Sequence, residues 1–194
     1  MKQLIAPSSI AFDIDGVVAD TMTLFRQIAK HEYGIIIRYK DITDYDLTKA
    51  LDLDFTLYWN IIEQILNGNT PFPLKPINDA KRVLGRLIQY TDYILFVTAR
   101  PSSGFIHQWI INELELLESK IKVIATGSFE EKASHLHAHH KTFFVEDRIE
   151  TCFLLQKEKI QPIVFSHPWN QQTSHSFLTV DSWGDLEAVI DFSK

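Results

Sequence analysis

Asp13 and Asp15 stand one residue apart at the end of an apolar run, Ser9-Ile10-Ala11-Phe12, and lead directly into Gly16. In an extended strand, side chains at i and i+2 point the same way, so the two carboxylates can face one site. Two such charges repel unless a cation or a shared proton compensates. A hard divalent metal together with a phosphorylated substrate would meet that cost. The competing reading is an ordinary Asp-x-Asp-Gly turn, in which the carboxylates bond local amides and Gly16 takes a positive φ.

Elements able to position such a pair recur along the chain. Strands are expected at Ile10 to Ile14, Tyr93 to Thr98, Lys122 to Ala125, Thr142 to Val145 and Pro162 to Phe165, with a short edge strand in Ser176 to Val180. Their near-continuous apolar character suits strands buried on both faces of a parallel sheet. Amphipathic helices are expected at Asp79 to Gln89, with Asn78 or Asp79 as cap, and at Phe105 to Leu117. Ser128 and Glu131 fit a capping box that would open another. This alternation predicts a Rossmann-like, doubly wound α/β fold with right-handed crossovers.

Between Asp20 and Pro76 the alternation stops. Helical patterns run over Thr21 to Tyr33, with Gly34 as stop signal, Thr43 to Ala50 and Phe55 to Leu66. The expected organisation is a core of residues 1–20 and 77–194 carrying a helical cap, 21–76, with hinges at Asp20-Thr21 and Pro73 to Pro76.

Ligand sites in open α/β sheets lie at the carboxyl ends of strands. Four expected strand ends carry suitable groups. The first holds Asp13 and Asp15; the second ends Thr98-Ala99-Arg100, offering a hydroxyl and backbone amides to an anion. Lys132 follows the third, in the first turn of a helix where a cation is unfavourable against the dipole, which a nearby phosphate would explain. The fourth ends Glu146-Asp147-Arg148. Singly, Thr98 reads as a helix cap, Lys132 as a solvated surface residue, and the acidic pair as turn residues bound to Arg148.

Taken together, the order of these motifs resembles the haloacid dehalogenase superfamily of phosphohydrolases. Phe12 to Val17 matches its first motif, Thr98 the second, Lys132 the third and Glu146-Asp147 the fourth. The resemblance implies Asp13 as nucleophile forming an aspartyl-phosphate and Asp15 as acid, then base. It implies Mg2+ held by Asp13, the Asp15 carbonyl and Asp147, with Glu146 in support, and phosphate bound by Thr98, Ala99 and Lys132. The acid role needs Asp15 protonated at the right moment, which an adjacent carboxylate and a dry, closed site favour. Asp15 also favours phosphate over halide chemistry. A phosphomutase, a phosphonate-cleaving relative using Lys30, Lys40 or Lys49 as Schiff base, and a non-catalytic phosphate-binding module stay open.

The small helical cap, the Glu-Asp-Arg ending and the stretch Phe165 to Asn170 look similar to 5′-nucleotidase-like members. Phe25, Tyr33, Tyr39, Tyr45, Phe55, Tyr58 and Trp59 would mostly pack the cap's own core, while some could stack on a base. Trp169 and Asn170 read either as approaching the site or as a loop anchor. His135 and His139, spaced i, i+4 beside His137 and His140, read as a solvated helix end in preference to a transition-metal site.

Composition narrows the classes. The 194 residues carry a net charge of −6 without a basic block, which excludes a nucleic-acid polymer as partner and leaves a small phosphorylated substrate. Cys152 is the one cysteine, so an internal disulfide is excluded and a reducing, cytoplasmic setting is expected. No apolar stretch reaches the length of a membrane span, and Met1 to Pro7 lacks the apolar core of a signal peptide.

Overall fold

A computed structural model describes residues 4–51 and 53–193. Six strands form one all-parallel sheet: β1 (Ile10–Phe12), β2 (Ile94–Thr98), β3 (Ile121–Ala125), β4 (Phe143–Glu146), β5 (Gln161–Phe165) and β6 (Leu178–Val180), in spatial order β3-β2-β1-β4-β5-β6. The helices are α1 (Thr21–Tyr33), α2 (Leu47–Leu51), α3 (Phe55–Asn67), α4 (Ala80–Leu87), α5 (Gly104–Leu114), α6 (Lys132–Ala138), α7 (Ile149–Lys157) and α8 (Trp183–Glu187). The expected α/β sheet architecture is observed.

The period-2 pleat divides the strand residues between two cores. Ile10, Phe12, Ile94 and Phe96 point into one with α4, α5 and α8; Ala11, Leu95, Val97 and Phe144 point into the other with Leu136 of α6 and Leu155 of α7. Both faces are covered, which is why the strands read as unbroken apolar runs. Phe12 stacks on Trp183 at 5.4 Å between centroids, and the Trp183 indole N–H donates to the Val17 carbonyl.

The strand order locates the site. The chain builds outward from β1 through β2 to β3, then returns to place β4 on the other side of β1. Crossovers therefore diverge between β1 and β4, and a crevice opens beyond their carboxyl ends. Asp13 follows β1 there, Glu146 ends β4 and Asp147 comes next.

α1 has the expected limits because Asp20 accepts from the Thr23 amide and Gly34, at φ 69°, closes its C-terminus. The chain leaves β1 and returns to the sheet side by side: the Asp20 amide donates to the Lys75 carbonyl, and the Ile77 amide donates to Val18. Three local expectations fail. Ser128 does not cap a helix; its hydroxyl accepts from the Glu130 amide and donates to the Glu130 carboxylate, and α6 begins at Lys132. Asp79 occupies the cap position of α4 with φ 66° and binds Arg82 with its side chain rather than the helix. The helix expected from Thr43 starts only at Leu47, because the Asp44 and Asp46 carboxylates take up the Asp46 and Thr48 amides in turns.

Candidate active site

β1 delivers Asp13, 3% exposed, to the floor of the crevice. Lys132 reaches it from α6: its Nζ lies 3.1 Å from Asp13 Oδ1 and 2.8 Å from Glu146 Oε2, and the side chain is fully buried. The solvated-surface reading of Lys132 is therefore wrong. Burial would depress this lysine, but Asp13 and Glu146 hold it above its usual value. Glu146 also accepts from the amides of Asp147 and Arg148, so it orients the lysine and the turn after β4 together.

Asp13, Glu146 and Asp147 offer carboxylate oxygens within 4.8 Å of one another. One lysine cannot neutralise three buried carboxylates. Burial, then Glu146, push Asp13 well above the usual carboxylate range, and the same causes raise Asp147. Asp147 Oδ1 is buried without a hydrogen-bond partner, and Asp13 Oδ1 is buried facing the Lys132 ammonium without hydrogen-bond geometry. An unpartnered Asp147 oxygen beside an Asp13 oxygen that faces one ammonium, in a site with surplus negative charge, fits a divalent cation such as Mg2+.

Asp147 is braced from the loop after β5. The Trp169 indole donates to Asp147 Oδ2 at 3.1 Å, and Asn170 Nδ2 donates to the Asp147 carbonyl at 2.8 Å. His167 supports the opposite wall, where its Nε2 meets the Gly16 carbonyl. That carbonyl only accepts, and burial lowers the His167 pKa to about 4, so the ring is neutral with its proton on Nε2. Tyr39 then donates to Nδ1, tying the segment between α1 and α2 to the crevice wall. Of the two readings of Trp169 and Asn170, both therefore hold: they anchor the loop by gripping Asp147.

Asp15 is placed differently from the sequence expectation. Its carboxylate accepts both prongs of Arg100, Nε at 2.8 Å and Nη2 at 2.7 Å, and the Thr21 hydroxyl. Burial would raise its pKa, but Arg100 and Thr21 hold it below the usual value. A guanidinium that the strand-end motif did not assign to it thus lies within reach and favours its carboxylate form. Arg100 is 4% exposed. Its amide donates to Thr98 Oγ1 at 3.2 Å, so Thr98 shapes the turn that carries Ala99 and aims Arg100.

Tyr45 sits edge-on to Phe129, 5.9 Å between centroids, and Arg148 lies 4.3 Å from the Phe129 ring. Burial, then the negative charges of Asp147, Asp13 and Asp15, push the Tyr45 hydroxyl well above its usual value. The aromatics of residues 21–76 divide: Phe25 is buried, whereas Phe55 is 65% and Trp59 46% exposed. Trp59, Glu63, Asn67, Pro101 and Ser102 help line an open cavity of about 330 Å3 between α3 and the turn after Arg100. The histidine cluster contributes nothing here; His139 Nδ1 meets the Tyr93 hydroxyl, and no histidine joins a metal-capable group among the described residues.

Comparison with known proteins agrees with this arrangement. A protein of Bacillus subtilis named "Putative nucleotidase YqfW" is 26% identical over 193 residues, covering 93% of this chain and 91% of its own. A protein of Halalkalibacterium halodurans, "Putative nucleotidase BH1399", is 25% identical over 182 residues, covering 92% and 90%. A haloacid dehalogenase superfamily hydrolase from Ehrlichia chaffeensis shares the fold with a TM-score of 0.57 at 17% identity, over 97% of this chain and 96% of that one. The family model described as "5′ nucleotidase, deoxy (Pyrimidine), cytosolic type C protein" matches residues 7–194. With Asp13, Lys132, Glu146 and Asp147 gathered at one crevice and a family match over nearly its whole length, the chain belongs to this nucleotidase family of haloacid dehalogenase-type phosphohydrolases.

Proposed function

We propose that the protein is a Mg2+-dependent phosphatase of small phosphomonoesters, 5′-nucleotides foremost, acting through an aspartyl-phosphate in the cytoplasm. One observation carries this reading: a buried carboxylate, Asp13, lies 3.1 Å from a buried lysine and within 4.8 Å of Asp147, whose Oδ1 is buried without a partner. A bound metal, held by Asp13, Asp147 and the Asp15 carbonyl, would neutralise charge on the phosphoryl group.

In the first half-reaction an Asp13 oxygen attacks phosphorus, the bond to the leaving oxygen breaks, and Asp15 gives that oxygen its proton. Asp15 takes up the proton on substrate binding, when the phosphate adds negative charge that offsets Arg100. In the second half, Asp15 accepts a proton from water, the water oxygen bonds to phosphorus, and the Asp13 acyl phosphate breaks to give free phosphate. Lys132, Thr98 and the amide of Ala99 would bind the phosphoryl oxygens, with Glu146 holding the lysine in place.

Residues 21–76 would act as a cap on a core of 1–20 and 77–194. Among the described residues no helix is long and apolar enough to cross a membrane.

Two results test the metal. Chelator-treated protein should release no phosphate from a panel of nucleotides, and Mg2+ should restore turnover. Mg2+ at a hundred times its Kd should also stabilise the fold by about 2.7 kcal/mol, read as a higher Tm. Turnover that survives EDTA sinks the metal role.

Gly16 offers a sharper probe. A Cβ there would lie 2.1 Å from Asp147 Oδ2, and its φ of 74° disfavours any side chain. Gly16→Ala should displace the Asp147 carboxylate and weaken Mg2+ by roughly 10- to 100-fold. A Mg2+ titration of activity measures this; an unchanged half-saturation point would remove Asp147 from the ligand set.

A further inference from the structure

Arg100 has a disposition that the family motifs do not require. It is a buried guanidinium 85 residues from Asp15 in sequence, yet both prongs of its fork close on that carboxylate. Its backbone is fixed on two sides, by Thr98 Oγ1 at its amide and by the Gly127 amide at its carbonyl. The remaining nitrogen, Nη1, is buried without a partner. A purely structural ion pair would leave no such donor, since an unsatisfied buried N–H is costly.

We propose that Arg100 is a positioning residue: it aims Asp15 at the leaving oxygen and keeps Nη1 for an anionic oxygen of the substrate. The fork geometry matters here, because a bidentate guanidinium fixes the plane of a carboxylate while an ammonium fixes only its distance. Substrate arrival and proton delivery are then linked through one rigid group. The inference rests on the assignment of Asp15 as acid and base made above.

Leaving-group dependence reads this role where a loss of folding would not. Departure of p-nitrophenolate needs little protonation, whereas p-methylphenolate needs it strongly. The wild-type enzyme should hydrolyse a series of aryl phosphates between these two with nearly level kcat. Arg100→Met should lower kcat less than about tenfold for p-nitrophenyl phosphate and by about a hundredfold or more for p-methylphenyl phosphate. Inhibition by inorganic phosphate should weaken in the same variant. Arg100→Lys, which keeps the charge and guards against a folding defect, should bind phosphate almost normally yet retain the steep leaving-group dependence.

Asp15→Asn is the reference. It should show the same steep dependence, and adding Arg100→Met to it should steepen it no further. If Asp15→Asn is steep while Arg100→Met and Arg100→Lys lose activity equally across the series, the positioning role falls and the acid assignment stands. If Asp15→Asn itself stays level, the acid assignment falls. Unchanged phosphate inhibition in Arg100→Met would remove the contact assigned to Nη1.

Discussion

Asp13→Asn should abolish phosphate release, lowering kcat by at least about a thousandfold, while the protein folds as well as the parent or better. Asparagine keeps the shape of the side chain and loses the nucleophilic oxygen, so an aspartyl-phosphate cannot form. The expected gain in stability follows from the charge. Burial and then Glu146 raise the Asp13 carboxyl above the ordinary range, so the folded state binds its proton more tightly than the unfolded state. Such a group destabilises the fold at neutral pH. That penalty fades as pH falls through the raised folded value and is gone below about 4, the ordinary carboxylate value. Thermal unfolding of both proteins in metal-free buffer at neutral and acid pH measures it. A variant that retains full turnover refutes the nucleophile, and one that is markedly less stable at neutral pH refutes the electrostatic account.

Lys132→Met should have the opposite signature, losing both activity and about 3–5 kcal/mol of stability. Methionine fills the space but leaves Asp13 and Glu146 without the cation that faces them at 3.1 and 2.8 Å. The lysine's own contribution is that of a group raised on folding, so it is fully present below its unfolded pKa near 10 and is lost only as pH rises past its folded value. The cost at neutral pH is therefore undiminished. Glu146→Gln added to Lys132→Met should recover part of it, because one of the stranded charges is removed. Denaturant midpoints of the two single variants and the double variant supply the coupling. Additive losses would mean that Glu146 does not hold Lys132 energetically, whatever their separation.

Much of the scaffold was legible before any coordinates. Strands buried on both faces leave apolar runs, and an αL glycine after a helix leaves its own mark, so β2, β5 and α1 lie close to their expected places. The Asp13-x-Asp15-Gly16 pattern, Thr98, Lys132 and Glu146-Asp147 were also readable, since strand ends in a parallel sheet are where chemistry collects. Local signals failed where a polar side chain had two choices. Ser128, Asp44 and Asp46 each bind a nearby amide in a turn, and sequence spacing does not distinguish that from a cap.

The amino-acid order thus determined which residues are strand ends and that several of them bear charge. Only tertiary structure decided their partners: Arg100 on Asp15, Trp169 and Asn170 on Asp147, and Tyr39 through His167 on the Gly16 turn. Periodicity and capping act over a few residues, whereas these contacts span 22 to 151 positions and form only when the sheet sets the ends of β2, β1, β4 and β5 side by side. That placement is a property of the whole sheet, so the pairing of Asp15 with Arg100 and the burial of Lys132 could not be read from the residues beside them.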